Sequence, residues 1–206
     1  MRAIVVVLAA FLCLSTPTLQ ASPPSSRYFV ILYSLENWRN AAAFSHTFAA
    51  FYRVDSNYVV YRADISWLPQ PQYMPGFRPL RMPAFGSFPG ENLSVEETIR
   101  RGLFAERTVR SFGPFESSAA LFELAVAREA QLQSGAVEYH GLDYFTRPNA
   151  VNCVHAVSDI VGIFHTGLRR GPTASYGVAE HFLERGYLFD LTPRTEWLAF
   201  LEQAPR

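Results

Sequence analysis

The residue with the most chemistry to offer is Cys153, in the run NCVHAV. Asn152 is a preferred helix N-cap, which predicts Cys153 in the first turn of a helix, where unpaired backbone N–H groups favour an anion. A thiol held there is more readily ionised, and the thiolate is the nucleophile of acyl transfer. On a helical stripe Cys153 falls with Val157, Ile160 and Phe164, so it faces packed side chains. That setting equally suits a cysteine that only fills space, since free cysteine is among the most buried residue types.

A nucleophilic cysteine needs a base, and the chain has five histidines, at 46, 140, 155, 165 and 181. His155 lies two positions along the same predicted helix and points away from Cys153; His165 is three turns along. His140 and His181 fall within a strand and a later helix. His46 opens the β-prone run HTFAAFYRV, which Asp55-Ser56-Asn57 separates from YVVYRADISW. These two runs predict a hairpin. If Val54 pairs with Tyr58, Ser66 stands opposite His46 and Asp64 lies diagonally beside it on the same face, so either could orient the imidazole. A one-residue slip would send both to the other face.

A cysteine opening a helix, a histidine on a strand and a polar residue on the next strand resemble the papain-like thiol hydrolases. The order, histidine first (SHTFAAF) and cysteine late (NCVHAV), is similar to the circularly permuted NlpC/P60-like branch over roughly residues 27–167. The runs ISWLP, PGENLSVEET and SGAVEYHGLDYF also resemble a group of exported bacterial proteins of unassigned function. The resemblance implies Cys153 as nucleophile, His46 as general base and later acid, Asp64 or Ser66 as the residue holding the ring, and the Cys153 N–H in an oxyanion site. It implies hydrolysis or transfer at an amide, ester or thioester, with peptide, cell-wall or lipid substrates. In the segment Tyr33-Ser34-Leu35-Glu36-Asn37 before His46, only Asn37 offers a side-chain oxyanion donor. The competing expectation is a non-catalytic exported binding domain in which Cys153 is a packing residue.

Composition narrows the alternatives. All 18 basic residues are arginine against 18 acidic ones, and there is no lysine. Schiff-base chemistry, covalent pyridoxal phosphate and a Walker A loop all require lysine and are closed. Balanced charge argues against nucleic acid as partner. No HExxH or CxxC spacing calls for a metal, and no cofactor is expected. The run Thr173-Ala174-Ser175-Tyr176-Gly177 has Thr where a nucleophile elbow would begin with Gly.

The elements that must position Cys153 and His46 follow from punctuation and periodicity. Residues 1–21 read as a signal peptide: Met1-Arg2, twelve apolar residues from Ala3 to Leu14, then a small polar stretch ending at Ala21. Twelve apolar residues are too few to span a bilayer, which takes about 20. A secreted or periplasmic product without a membrane anchor is expected, with residues 22–206 as one α+β domain. Its single cysteine can form no internal disulfide. Strands are predicted at 27–35, 46–54, 58–67, 106–112, 136–146 and 187–191. Helices are predicted at 94–104, 117–134, 152–166, 178–185 and 192–203, with a proline-rich meander at 68–92. The expected architecture is an antiparallel sheet with the Cys153 helix packed against it.

Overall fold

The computed structural model describes residues 26–36, 45–70, 86–104, 107–141, 149–166 and 171–204. The expected signal peptide, Asn37 and most of the proline-rich meander lie outside the described residues. The architecture is mixed α+β. Strands β1 (Arg27–Glu36), β2 (His46–Val54), β3 (Val60–Ile65) and β6 (Thr108–Glu116) form an antiparallel sheet in the order β3-β2-β1-β6. A smaller sheet, β4 (Trp67–Pro69), β5 (Ser87–Asn92), β7 (Glu138–His140) and β8 (Ala150–Val151), ends in a parallel β7–β8 pair.

Both faces of the large sheet are covered, which is why β1 reads as the nearly unbroken apolar run YFVILYSL: a strand buried on both sides has no polar face. Alternation divides its side chains between two cores. Val30 and Leu32 of β1, Ala49 and Phe51 of β2 and Ala63 and Ile65 of β3 pack with α2 (Ala119–Gln133), α3 (Cys153–Ser158) and α4 (Pro172–Glu184), through Leu121, Val157 and Phe182 among others. Phe29, Ile31, Tyr33 and Leu35 of β1 and Phe48, Ala50, Tyr52 and Val54 of β2 face the other way. They pack on α1 (Val95–Phe104) and α5 (Leu198–Glu202) through Val95, Ile99 and Leu201.

The hairpin register differs from the expected one by two residues: Val54 pairs with Val60, not Tyr58. Asp55 causes this by closing a wider loop, its backbone N–H donating to Val59 O and its carboxylate accepting from the N–H groups of Asn57 and Val59. An even shift leaves every side chain on its expected face, so Asp64 and Ser66 stay on the side of His46.

Other boundaries also move. The helix expected to Thr166 is α3 alone, followed by a 3-10 turn at Asp159–Val161 that ends at Gly162, with φ 116. β6 continues past the cis Gly113–Pro114 bond instead of stopping before it. The expected strand at 187–191 reduces to one bridge between Leu188 and Ser117. α4 starts at Pro172, six residues before the predicted 178, because proline is accommodated at N1.

Candidate functional site

His46 is 4% exposed and stands opposite Leu35, its ring stacked on Phe48 with centroids 5.3 Å apart. Its Nε2 lies 2.9 Å from Ser66 Oγ, and Ser66 Oγ lies 2.6 Å from Thr98 Oγ1 on α1. Thr98 in turn donates to the Ser94 carbonyl at 2.8 Å, the back-bond to i−4 that a helical threonine commonly makes. Proton bookkeeping along this chain fixes the tautomer. Thr98 has spent its proton on Ser94, so Ser66 must donate to Thr98, and Ser66 Oγ then accepts from His46 Nε2–H. Nδ1 is left as a buried lone pair with no hydrogen-bond partner among the described residues. Burial, with a smaller contribution from Arg107, lowers the imidazole pKa from 6.5 to about 3, so His46 is neutral.

Asp64, the other candidate to orient the ring, is occupied elsewhere. Its carboxylate takes Arg62 Nε at 2.7 Å and the Val95 N–H at 3.1 Å, which ties the start of α1 to the sheet. Burial pushes the Asp64 carboxyl above the ordinary aspartate value, against the pull of Arg62 and Val95. Arg62 also pairs with Glu96. Of the two alternatives, Ser66 holds the imidazole.

Cys153 is the first residue of α3, and the Asn152 side chain caps that helix by accepting from the His155 N–H at 2.9 Å. Cys153 is 8% exposed. Tyr139, on β7, is its neighbour: burial first, then Cys153, raises the phenol's pKa far above its usual value, so the hydroxyl stays protonated. His155 turns away, as expected, and pairs through Nδ1 with Asp159 at 3.0 Å. His140 Nδ1 meets Gly86 O at 3.1 Å, His181 Nε2 meets Gly162 O at 3.0 Å, and His165 is exposed.

The sheet brings His46 and Ser66 together with Asp64 on one face, and it sets the Cys153 helix against the other. His46 shares the face of Phe48 and Tyr52, under α1. α3 packs on β2 through Ala156 and Val157, in the core that holds Ala49 and Phe51. The expected contact between the Cys153 sulfur and the His46 imidazole is therefore not made. On the α3–α4 side β2 presents Thr47 beside Ala49 and Phe51, and Thr47 donates to Ser175 Oγ at 2.9 Å while Ser175 donates to Tyr33 O at 3.0 Å. Ser175 is fully buried inside α4, so the run Thr173–Gly177 is helix and not an exposed elbow.

Thr98, Tyr139, Thr47 and the His155–Asp159 pair were not singled out as site residues. The last was readable as a His–Asp pair at i,i+4 on a helix, and Thr98 as a threonine four residues after a capping serine. Among the described residues no group of three or more His, Cys, Asp or Glu is placed to hold a metal. Comparison with family models, curated proteins and solved structures finds no match to this chain.

Proposed function

We propose that this chain is an exported, non-catalytic binding domain in which Cys153 is a packing residue beside Tyr139. One observation carries the reading: His46 and the helix of Cys153 lie on opposite faces of β2. On the cysteine's side β2 offers Thr47, whose hydroxyl is engaged with Ser175 and cannot titrate near neutral pH. Cys153 is 8% exposed, and on this reading it fills space as a small buried hydrophobe. The function then belongs to surfaces presented by the sheet and its flanking helices, toward peptide, cell-wall or lipid ligands.

A second reading keeps a specific observation in its favour. A thiol hydrolase or acyltransferase acting through Cys153 and His46 needs an imidazole held at one nitrogen and bare at the other. His46 has that form, with Ser66 on Nε2 and, among the described residues, no hydrogen-bond partner on Nδ1. This chemistry requires the sulfur to reach Nδ1 in another arrangement of β2 and α3.

Alkylation of the native protein at pH 6–7, with Cys153 followed by peptide mass, separates the readings. The binding-domain reading expects slow modification that accelerates only on unfolding and is unchanged by His46→Ala. Rapid modification of folded protein that disappears in His46→Ala overturns it in favour of the hydrolase.

A further inference from the structure

β6 is an edge strand, with β1 on one side of it in the order β3-β2-β1-β6. One bond fixes which of its backbone groups face outward. Ser117 N–H donates to Tyr28 O at 2.9 Å, which turns the backbone of Tyr28, and of every second residue of β1 after it, toward β6. Leu32 and Ser34, opposite Phe112 and Arg110, therefore engage those two residues, and the N–H and C=O groups of Val109 and Ser111 point away from the sheet. Past the register shift the chain itself already occupies this edge. Arg194 N–H donates to Pro114 O at 2.7 Å, Phe189 N–H donates to Glu116 O at 3.2 Å, and Leu188 bridges Ser117. Among the described residues nothing continues that row onto Ser111 and Val109. At the sheet's other edge the Asp64 N–H, which also points outward, is met by Glu129 of α2 at 3.4 Å.

A cleft of about 430 Å³ opens beside this stretch, between Arg110 and Phe112 of β6 and Pro172, Tyr176 and Glu180 of α4. Phe112 and Tyr176 meet edge to face, with ring centroids 5.7 Å apart. Glu36, whose side chain is 8% exposed, holds Arg110 Nε at 2.7 Å, so the strand's side of the cleft is fixed. Side chains of a strand alternate between faces. In a strand laid along β6, those opposite Arg110 and Phe112 enter the cleft, and those opposite Val109 and Ser111 pass to the α1 face. A row of outward N–H and C=O groups recognises another extended backbone, and the chain's own residues 188–194 show this edge accepting one. The cleft carries charges of both signs at Arg110 and Glu180, whereas Phe112, Pro172 and Tyr176 are apolar, so it selects an apolar side chain. A second copy of the chain fits less well: self-paired over 108–112, β6 sets Arg110 opposite Arg110.

We propose that residues 108–112 of β6 take an extended peptide as an added strand, paired with Val109 and Ser111 and seating an apolar side chain against Phe112 and Tyr176. The inference rests on the reading of the chain as a binding domain and names its ligand as peptide. It is tested on the protein recovered from an exporting host and panned against linear heptapeptides displayed on phage, the selected sequences then being synthesised. A bound peptide should slow hydrogen exchange at the Val109 and Ser111 amides. Methylating alternate peptide amides should abolish binding in one register and spare it in the other. Ser111→Pro, which removes an outward N–H and leaves the β1 ladder intact, and Tyr176→Ala should each weaken binding about tenfold. Tyr58→Ser, at an exposed aromatic residue elsewhere, should leave it unchanged. Should Ser111→Pro fail to fold, exchange in the wild type and the methylated peptides decide. No peptide selected, unchanged exchange at 109 and 111, equal binding by both methylated series, or protection that rises with protein concentration without peptide would each overturn the proposal, the last in favour of a second copy. Cys153 alkylation in the same samples keeps the two readings apart. Slow alkylation with no peptide bound overturns strand addition and leaves the binding domain standing; rapid alkylation that disappears in His46→Ala overturns the binding domain whatever the peptides do.

Discussion

His46 makes a quantitative prediction about pH. Its imidazole is nearly inaccessible, its Nε2–H is taken by Ser66, and its pKa falls from 6.5 to about 3 through burial and the nearby Arg107. In the unfolded chain the same group protonates with a pKa of about 6.5. Between those values the unfolded state binds a proton that the folded state does not. Stability from this group is therefore complete above pH 6.5 and is lost as the pH falls toward 3, at about 1.4 kcal/mol per pH unit. At pH 5 the loss is about 2 kcal/mol, a sizeable fraction of the 5–15 kcal/mol that ordinarily holds a domain together.

Urea unfolding of wild type and His46→Gln at several pH values between 5 and 7 isolates this contribution, because every other titrating group is common to both proteins. The wild type should lose about 2 kcal/mol more than the variant between pH 7 and 5, whatever their difference at pH 7. Should His46→Gln fail to fold, the histidine C–H resonances of the wild type supply the same answer: one ring should remain neutral down to at least pH 4.5. Parallel stability curves, or a His46 resonance titrating near 6.5, would refute the buried, neutral placement under α1. That outcome would also weaken the case for a non-catalytic domain, since an imidazole able to gain a proton near neutrality is what a thiolate partner requires.

Two further substitutions test the frame around the site. Asp64→Leu leaves the Arg62 guanidinium, whose side chain is 3% exposed, without its buried partner and removes the acceptor for Val95 N–H. It should cost about 3–5 kcal/mol in urea unfolding, most of it recovered by adding Arg62→Met. Gly90→Ala should lower the melting temperature by an amount equivalent to about 1–3 kcal/mol, because a Cβ at that position runs into the buried Trp67 ring. Gly141→Ala, with open space around it, should have no such effect.

Much of the frame was legible because its signals are local. The apolar density of β1, the Ser94 capping box and the Asn152 cap each announce their element within a few residues, and the structure holds α1 and α3 where those signals start them. What failed was information carried by partners far along the chain. The hairpin register depended on how Asp55 closes its loop, and α3 ends early because Asp159 gathers Ser158, Phe164 and the His155 ring around itself. The polar relay was half legible: Ser66 followed from strand pairing, whereas Thr98 lies on a helix 32 positions away that only the tertiary fold brings over His46.

The Cys153–His46 pairing turned on a quantity that neither residue's own neighbourhood contains, namely which face of β2 each helix covers. Alternation gives the sequence two sets, His46-Phe48-Ala50-Tyr52 and Thr47-Ala49-Phe51, both apolar enough to be buried. With one polar face, the sheet would have had to turn its apolar set toward α3 and the choice would have been forced. Because helices cover both sides, the hydrophobic pattern is satisfied either way, and smaller preferences decide. Ala49 lets α3 lie close to β2, while the hydroxyl of Thr47 finds Ser175 on α4 and the ring of His46 finds Phe48 and the Ser66–Thr98 chain under α1. Swapping the two sets would leave Thr47 without Ser175 and set the imidazole among the aliphatic residues around Val157. The face of His46 is therefore fixed by polar partners on α1 and α4, at a strand position where hydrophobicity does not discriminate.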